Sequence, residues 1–302
     1  MVDEAKKRIL ITGINGMLGQ DLGPVLETQF LISGIDLQNP EGSKYDYFCC
    51  DITNINELTA AFEKINPWLT IHGAAFTDVD GCENNPEKAE AINIKGTNNI
   101  VSLCKQYGTK LIYISTDYVF SGEKSSAYTI DDTPAPLNVY GRTKLEAEQL
   151  VLRELPESLI VRTSWLFGKG GKNFVKTIID KSSQVDTLKV VNDQRGSPTH
   201  TLSLSLALKE LISAVFLAPV NAENYGVYHV SNSENCTWYE FAKKITDLCD
   251  IDVNIVAVDS TEFVRQALRP KRSILDNSRY EKATKNKLCS WVQALQSYLT
   301  QG

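Results

Sequence analysis

The feature that most narrows the folds open to this chain is a glycine spacing near its start, Ile9-Leu10-Ile11-Thr12-Gly13-Ile14-Asn15-Gly16-Met17-Leu18-Gly19. An apolar, β-branched run ends at Thr12, glycine then recurs at every third position, and a helical apolar pattern (Leu18, Leu22, Val25, Leu26) follows at once. Gly13 suits a tight turn, Gly16 lets backbone approach a pyrophosphate, and Gly19 lets the helix lie against its strand. The helix N-terminus then offers N–H groups and partial positive charge to an anion. A first strand–helix turn of this kind predicts dinucleotide binding, with Asn15, Met17 and Leu18 in the same loop.

The alternation continues. Strand-like runs lie at Arg8–Thr12, Phe30–Ile35, Leu69–Ala74, Lys110–Ile114 and Leu159–Val161. Helical patterns fall between them, at Leu58/Ala61/Phe62/Ile65, Ala89/Ile92/Gly96/Ile100/Leu103 and Leu145/Leu150. Strands alternating with helices imply right-handed crossovers and a parallel sheet covered on both faces. We expect a Rossmann-like, doubly wound α/β domain over residues 1–165. Beyond Trp165 the rhythm loosens into strand-like Leu188–Val191 and Gly226–Val230 and helical Phe174–Ile179, Leu202–Phe216, Thr237–Leu248 and Trp291–Leu299. This half, 166–302, reads as a smaller α+β substrate lobe, some of whose segments return to the first domain.

Charge and cysteine use exclude several classes. The formal net charge is −6, whereas general nucleic-acid or membrane-surface binding needs a basic face. An anionic substrate must then be met by a local cluster of Lys or Arg, and Arg269-Pro270-Lys271-Arg272 is the candidate, with Arg269 as its anchor. Seven scattered cysteines form no CxxC pair and no zinc spacing, as expected of reduced thiols in a cytoplasmic protein. No apolar signal segment follows the charged start, Met1–Lys7, and Leu202–Leu217 is too short to span a bilayer. Asp78, Asp80 and Glu83 read as a solvated acidic loop, and no metal ligands are assigned.

Asp36 ends the second predicted strand, seventeen positions beyond Gly19, where a carboxylate can accept from both hydroxyls of a ribose. No Arg closely follows it to welcome a 2′-phosphate, so NADH is expected to serve at least as well as NADPH. Asp51-Ile52 and Ala74-Ala75 follow later strands and would flank the adenine and the dinucleotide backbone. A second constellation joins Thr116, just past a strand, to Tyr140 and Lys144. Tyr-x3-Lys puts both side chains on one helix face. An ammonium beside the phenol is expected to lower its pKa towards neutrality and make it a usable general acid, while the Thr116 hydroxyl polarises the same carbonyl oxygen. Tyr239 and Lys243 repeat the spacing, but outside the alternating half.

Taken together, the glycine loop, Ser115-Thr116-Asp117-Tyr118-Val119-Phe120, Leu137-Asn138-Val139-Tyr140-Gly141-Arg142-Thr143-Lys144, Arg162-Thr163-Ser164-Trp165, Asn192-Asp193-Gln194-Arg195-Gly196-Ser197-Pro198-Thr199 and the late Arg269-Pro270 segment resemble the dTDP-4-dehydrorhamnose reductase family along nearly the whole chain. The resemblance implies reduction of dTDP-4-dehydro-L-rhamnose to dTDP-L-rhamnose by NADH or NADPH. It also implies that Thr116, Asp117 and Trp165 line the sugar site, and that Tyr140 and Lys144 serve both catalysis and the nicotinamide ribose. Members are associated with magnesium, which no ligand pattern here supports. Phe76 stands where the family often has a polar residue. The expected partner is a nucleotide-linked sugar, with a homodimer among the assemblies left open. Two rival readings share these motifs. One is a nucleotide-sugar epimerase or dehydratase, although a dehydratase normally has an acidic pair after the Thr and here Tyr118 follows Asp117. The other is a non-catalytic regulatory subunit, as of methionine adenosyltransferase.

Overall fold

The computed structural model describes residues 6–39 and 43–300; Met1–Ala5, most of the charged start, lie outside the described residues. The chain opens on β1 (Arg8–Thr12), α1 (Met17–Leu26), β2 (Leu31–Asp36) and a short β3 (Asp46–Cys49). Helix α2 (Ile55–Ile65) starts where the Asn54 side chain accepts from the Asn56 and Glu57 N–H groups. After β4 (Leu69–His72) come the short helices α3 (Val79–Asn84) and α4 (Pro86–Ala89), and α4 runs through a π-helical stretch, Glu90–Gly96, into α5 (Thr97–Tyr107). The strands β5 (Lys110–Thr116) and β6 (Leu159–Thr163) flank α6 (Val139–Glu154).

The later half supplies β7 (Leu166–Phe167), α7 (Phe174–Ser182), β8 (Thr187–Val191), β9 (Arg195–Gly196), β10 (Thr199–His200) and α8 (Thr201–Leu211). It ends with β11 (Gly226–His229), β12 (Cys236–Thr237), α9 (Trp238–Leu248), β13 (Asn254–Val258), α10 (Ser278–Thr284) and α11 (Trp291–Thr300).

Seven strands form one sheet in the order β3-β2-β1-β4-β5-β6-β11, parallel throughout. Its central strands are apolar on both faces because helices cover both. On one face Leu22 and Leu26 of α1 meet Leu204, Leu208 and Leu211 of α8. On the other, Leu58, Phe62, Ile100, Cys104, Ala147 and Val151 bring in α2, α5 and α6. Both α8 and β11 therefore belong to the first layer, although they follow Trp165. The second lobe has its own core of Val175, Ile178, Phe241, Ile245, Trp291 and Leu295, beside the parallel pair β8–β13. One strand of the sheet escapes the apolar pattern: β3 closes the edge with half-exposed residues and carries no long apolar run. β13 does carry one, Ile255-Val256-Ala257-Val258, although it is buried mainly at Val258.

Candidate active site

β1 and β4 are neighbours, and the chain runs outward from them in both directions; this is the switch point at which open α/β sheets bind ligands. A cleft of about 990 Å³ opens there. It is lined by Gly13, Asn15, Gly16, Met17, Leu18 and Gly19, then by Asp36, Asp51, Ile52, Ala74 and Ala75, and finally by Thr116, Asp117, Tyr140, Lys144 and Trp165. Residues spread over the first half of the sequence and a little beyond thus share one cavity.

The dinucleotide end is built from backbone. Gly13 has φ +73, and an added Cβ would lie 3.0 Å from the Ala74 nitrogen. The Gly16 N–H donates to the Gly13 carbonyl at 3.0 Å and closes the turn. Gly16 is the N-cap of α1 and no side chain caps it, so the helix N-terminus opens into the cleft without an internal acceptor. Asp36 accepts from the Asn15 N–H at 2.9 Å and from the Leu37 N–H at 2.8 Å. Each carboxylate oxygen keeps a lone pair for a ribose hydroxyl. Asn15 donates to Tyr47 Oη at 2.9 Å, and burial, with the Asp36 charge, pushes the Tyr47 phenol up to about 12. A glycine cradle, an uncapped helix start and a strand-end carboxylate fit a nicotinamide dinucleotide.

The small residues after β4 are pinned from below. Asn93, on the π-helical stretch, accepts from the Phe76 N–H at 2.8 Å and donates to the Phe76 carbonyl at 3.2 Å. His72 accepts at Nδ1 from the Thr12 hydroxyl (2.7 Å) and donates at Nε2 to Thr97 (3.0 Å), whose own hydroxyl donates to the Asn93 carbonyl. Burial, aided by the Lys144 charge, takes His72 down to about 3. The ring is a neutral strut, not a base. Phe76 itself lines the cleft, with the Lys88 ammonium 4.8 Å from its ring centre.

At the reaction end, Thr116 accepts from the Tyr118 N–H at 3.1 Å and donates to Asp117 Oδ1 at 3.2 Å. Tyr140 stands in the first turn of α6, which Asn138 starts by accepting from the Gly141 N–H at 2.8 Å. Its ring meets Tyr118 edge to face at 6.0 Å. One expectation is corrected here. Burial raises the Tyr140 phenol well above its ordinary value, with only the Thr116 hydroxyl among its neighbours pulling it back. The Lys144 ammonium lies instead 4.1 Å from the centre of the Tyr113 ring, and burial draws it down to about 7 against the pull of Glu148. Both groups have lost water, and each then favours its neutral form. A phenol that stays protonated is what a proton donor requires.

Asp117 is 2% exposed, and burial pushes its carboxyl up to about 7. The Ser273 and Thr116 hydroxyls draw the carboxyl partly back down, while the Thr163 hydroxyl, also on the cleft wall, has no hydrogen-bond partner among the described residues and is left for a polyhydroxylated ligand. Trp165 holds φ +47, a left-handed backbone unusual for a bulky residue, and its ring stacks on Trp238 at 3.4 Å and 3°.

Arg269 is not brought into the cleft. Its guanidinium is bidentate on Asp80, at 3.1 and 2.7 Å; Arg265 joins at 3.5 Å, and the Ala267 N–H donates to the same carboxylate at 3.1 Å. The hydrogen bond from Arg269 holds the Asp80 carboxyl down at about 2. The expected solvated acidic loop is therefore a set of anchors. Asp80 ties down the late segment, Asp78 accepts from the Gly81 N–H, and Glu83 accepts from the Val139 N–H at the start of α6. The cations lining the cleft beside Lys144 are Lys88 and Lys172. Sequence reasoning missed both; the one signal was the Gly- and Lys-rich loop 168–172. The second Tyr-x3-Lys pair lies on α9 at the second core, with Lys243 5.8 Å from the Tyr239 ring centre.

The family profile described as the RmlD substrate binding domain matches residues 7–302. The chain belongs to the RmlD family. This RmlD chain is 33% identical over 296 residues to the dTDP-4-dehydrorhamnose reductase of Aggregatibacter actinomycetemcomitans, covering 96% of this chain and 97% of that one. It superposes with a TM-score of 0.89 and 38% identity on the crystal structure of the dTDP-4-dehydrorhamnose reductase of Bacillus anthracis str. Ames in complex with NADP, covering 98% and 100% of the two chains. A Thermus thermophilus UDP-glucose 4-epimerase, 16% identical, reaches a TM-score of 0.83 over 97% and 98%; that likeness concerns the fold alone.

Proposed function

We propose that this chain is a nucleotide-sugar reductase that converts dTDP-4-dehydro-L-rhamnose to dTDP-L-rhamnose with NADH or NADPH. The observation that carries the reading is one cleft lined both by the glycine cradle and by Thr116, Tyr140 and Lys144. When bound, the nicotinamide cofactor supplies a hydride to the carbonyl carbon of the sugar. Thr116, turning from Asp117, donates its hydroxyl proton in a hydrogen bond to the carbonyl oxygen. Tyr140, kept protonated by burial, gives its proton to that oxygen as negative charge develops there. Lys144 holds the ribose beside it. Lys88 and Lys172, at the exposed rim, suit the diphosphate better than the Asp80-bound Arg269.

No helix among the described residues is long and apolar enough to cross a membrane. Seven unpaired cysteines suit a reducing compartment, and we place the enzyme in the cytoplasm. Oxidation of NADH and NADPH should be followed with dTDP-4-dehydro-L-rhamnose and with other nucleotide-linked sugars. Steady consumption with the keto-sugar is expected; cofactor binding without turnover overturns the reading.

Asp36 sets the expected cofactor choice, because its carboxylate would face a 2′-phosphate. NADH should be used at least as well as NADPH. Asp36→Ser should raise KM for NADH roughly tenfold or more, the worth of a charge-assisted hydrogen bond, and leave KM for NADPH unchanged or lower. A large wild-type preference for NADPH in kcat/KM contradicts this.

A further inference from the structure

A buried ionic cluster stands behind the reacting residues and takes no part in the steps above. Glu148 lies one helical turn after Lys144 on α6 and is 1% exposed. Arg162 of β6 grips its carboxylate with Nε at 3.0 and 3.2 Å and Nη2 at 2.7 Å. Ser115 of β5 donates its hydroxyl to the same group. The Phe120 ring lies 5.1 Å from the guanidinium carbon, and Arg162 Nη1 points at His229 Nε2 of β11, 3.5 Å away. His229 donates from Nδ1 to the Tyr128 carbonyl at 3.0 Å. Burial and the Arg162 charge keep this ring neutral, at about 3.

A buried ion pair of this kind is a poor way to gain stability, since apolar residues of similar volume serve as well or better. Its placement suggests another use. Lys144 is 3% exposed; its ammonium lies over the Tyr113 ring of β5, its charge helps lower His72 of β4, and Glu148 follows it by one turn on the same helix. The Glu148 carboxylate charge raises Lys144 against the effect of burial. Arg162 and Ser115 fix the carboxylate at the junction of α6, β5 and β6, so it cannot swing away or take up solvent.

We propose that Glu148 is a positioning residue whose locked carboxylate keeps Lys144 charged and aimed at the cleft. The proposal rests on the reading of Tyr140 and Lys144 given above. The sign follows from the charges. An anion near an ammonium raises the pH at which the ammonium loses its proton, so removing that anion lets Lys144 discharge at lower pH.

The test uses the cofactor-free protein with lysines labelled at Cε, following Lys144 by carbon NMR across pH. Its resonance is assigned by its loss in Lys144→Met. Glu148→Gln removes the charge. The double variant Glu148→Gln, Arg162→Met also removes the cation that would be left unpaired, and keeps the interior neutral should the single variant fold poorly. In Glu148→Gln the Lys144 midpoint should fall by about one pH unit or more. In the double variant it should also fall, but by less, because the Arg162 cation leaves with the anion, and the alkaline limb of kcat/KM for the keto-sugar should move down in step. A Lys144 midpoint that stays put overturns the proposal, even if kcat falls, because a purely structural Glu148 would do that. Wild-type turnover in Lys144→Met would instead overturn the reading of the catalytic pair, whatever Glu148 does.

Discussion

Replacing Tyr140 by Phe should lower turnover of the keto-sugar by roughly 10²–10⁴, the usual contribution of a positioned proton donor. Affinity for NAD(P)H should largely survive, since the glycine cradle and Lys144 are untouched. Tyr239 supplies the internal control, because it too precedes a lysine by four positions and has that lysine over its ring. Its surroundings are the second core, not the cleft. Tyr239→Phe keeps the ring and its packing, so turnover should change little. Both variants should be assayed together under saturating conditions. Equal activities, or a larger loss at Tyr239, would place the proton donor on the wrong helix.

The second large effect is expected at Gly19. A Cβ there would sit 2.4 Å from the Ile14 carbonyl oxygen and 2.5 Å from the Ile14 Cα. Both obstacles are backbone, so no rotamer change relieves the clash, and α1 must move. The helix cannot move freely, because Leu22 and Leu26 are buried in the core it shares with α8. Gly19→Val should therefore lower stability by roughly 1–3 kcal/mol or more, the usual cost of overpacking. Displacing the helix N-terminus from the phosphates should also weaken NADH binding by roughly two orders of magnitude, as loss of two charge-assisted hydrogen bonds would. Gly108→Ala is the matched control. Gly108 has φ +65 with nothing near the added atom, so it should cost about 1 kcal/mol of backbone strain and leave NADH binding intact. Fluorescence titration with NADH and thermal unfolding read both quantities; wild-type affinity and midpoint in Gly19→Val would contradict the role given to the cradle.

Much of this site is local in sequence and so was legible. The glycine spacing, the strand-end Asp36 and Thr116, and the one-turn spacing of Tyr140 and Lys144 are patterns that backbone geometry imposes on a few consecutive residues. The remainder depends on tertiary neighbours. Asp80 and Arg269 are 189 positions apart, and neither carries a local sign of the other; a basic cluster near the end of the chain therefore read as a substrate clamp. The protonation of Tyr140 departs from what the motif implies for a related reason. The motif supplies the lysine, but the depth of burial that opposes both charges comes from the packing of α6 on the sheet. Glu148, Arg162 and His229 are likewise unremarkable residues on three separate elements until the sheet aligns them. Strand β3 lies at the sheet edge, partly exposed, and lacks the apolar run by which the central strands announce themselves; β13 has such a run at Ile255–Val258, but it stands outside the regular strand–helix alternation.

The most direct test of the central claim is isotope transfer from reduced cofactor deuterated at the nicotinamide C4 to dTDP-4-dehydro-L-rhamnose, with the sugar product examined by NMR and mass spectrometry. The account predicts dTDP-L-rhamnose carrying the label at the sugar C4, formed in step with cofactor oxidation and strongly diminished in Tyr140→Phe. An unlabelled, epimerised or dehydrated sugar formed without net consumption of cofactor, or no product from a protein that binds the cofactor, would contradict it.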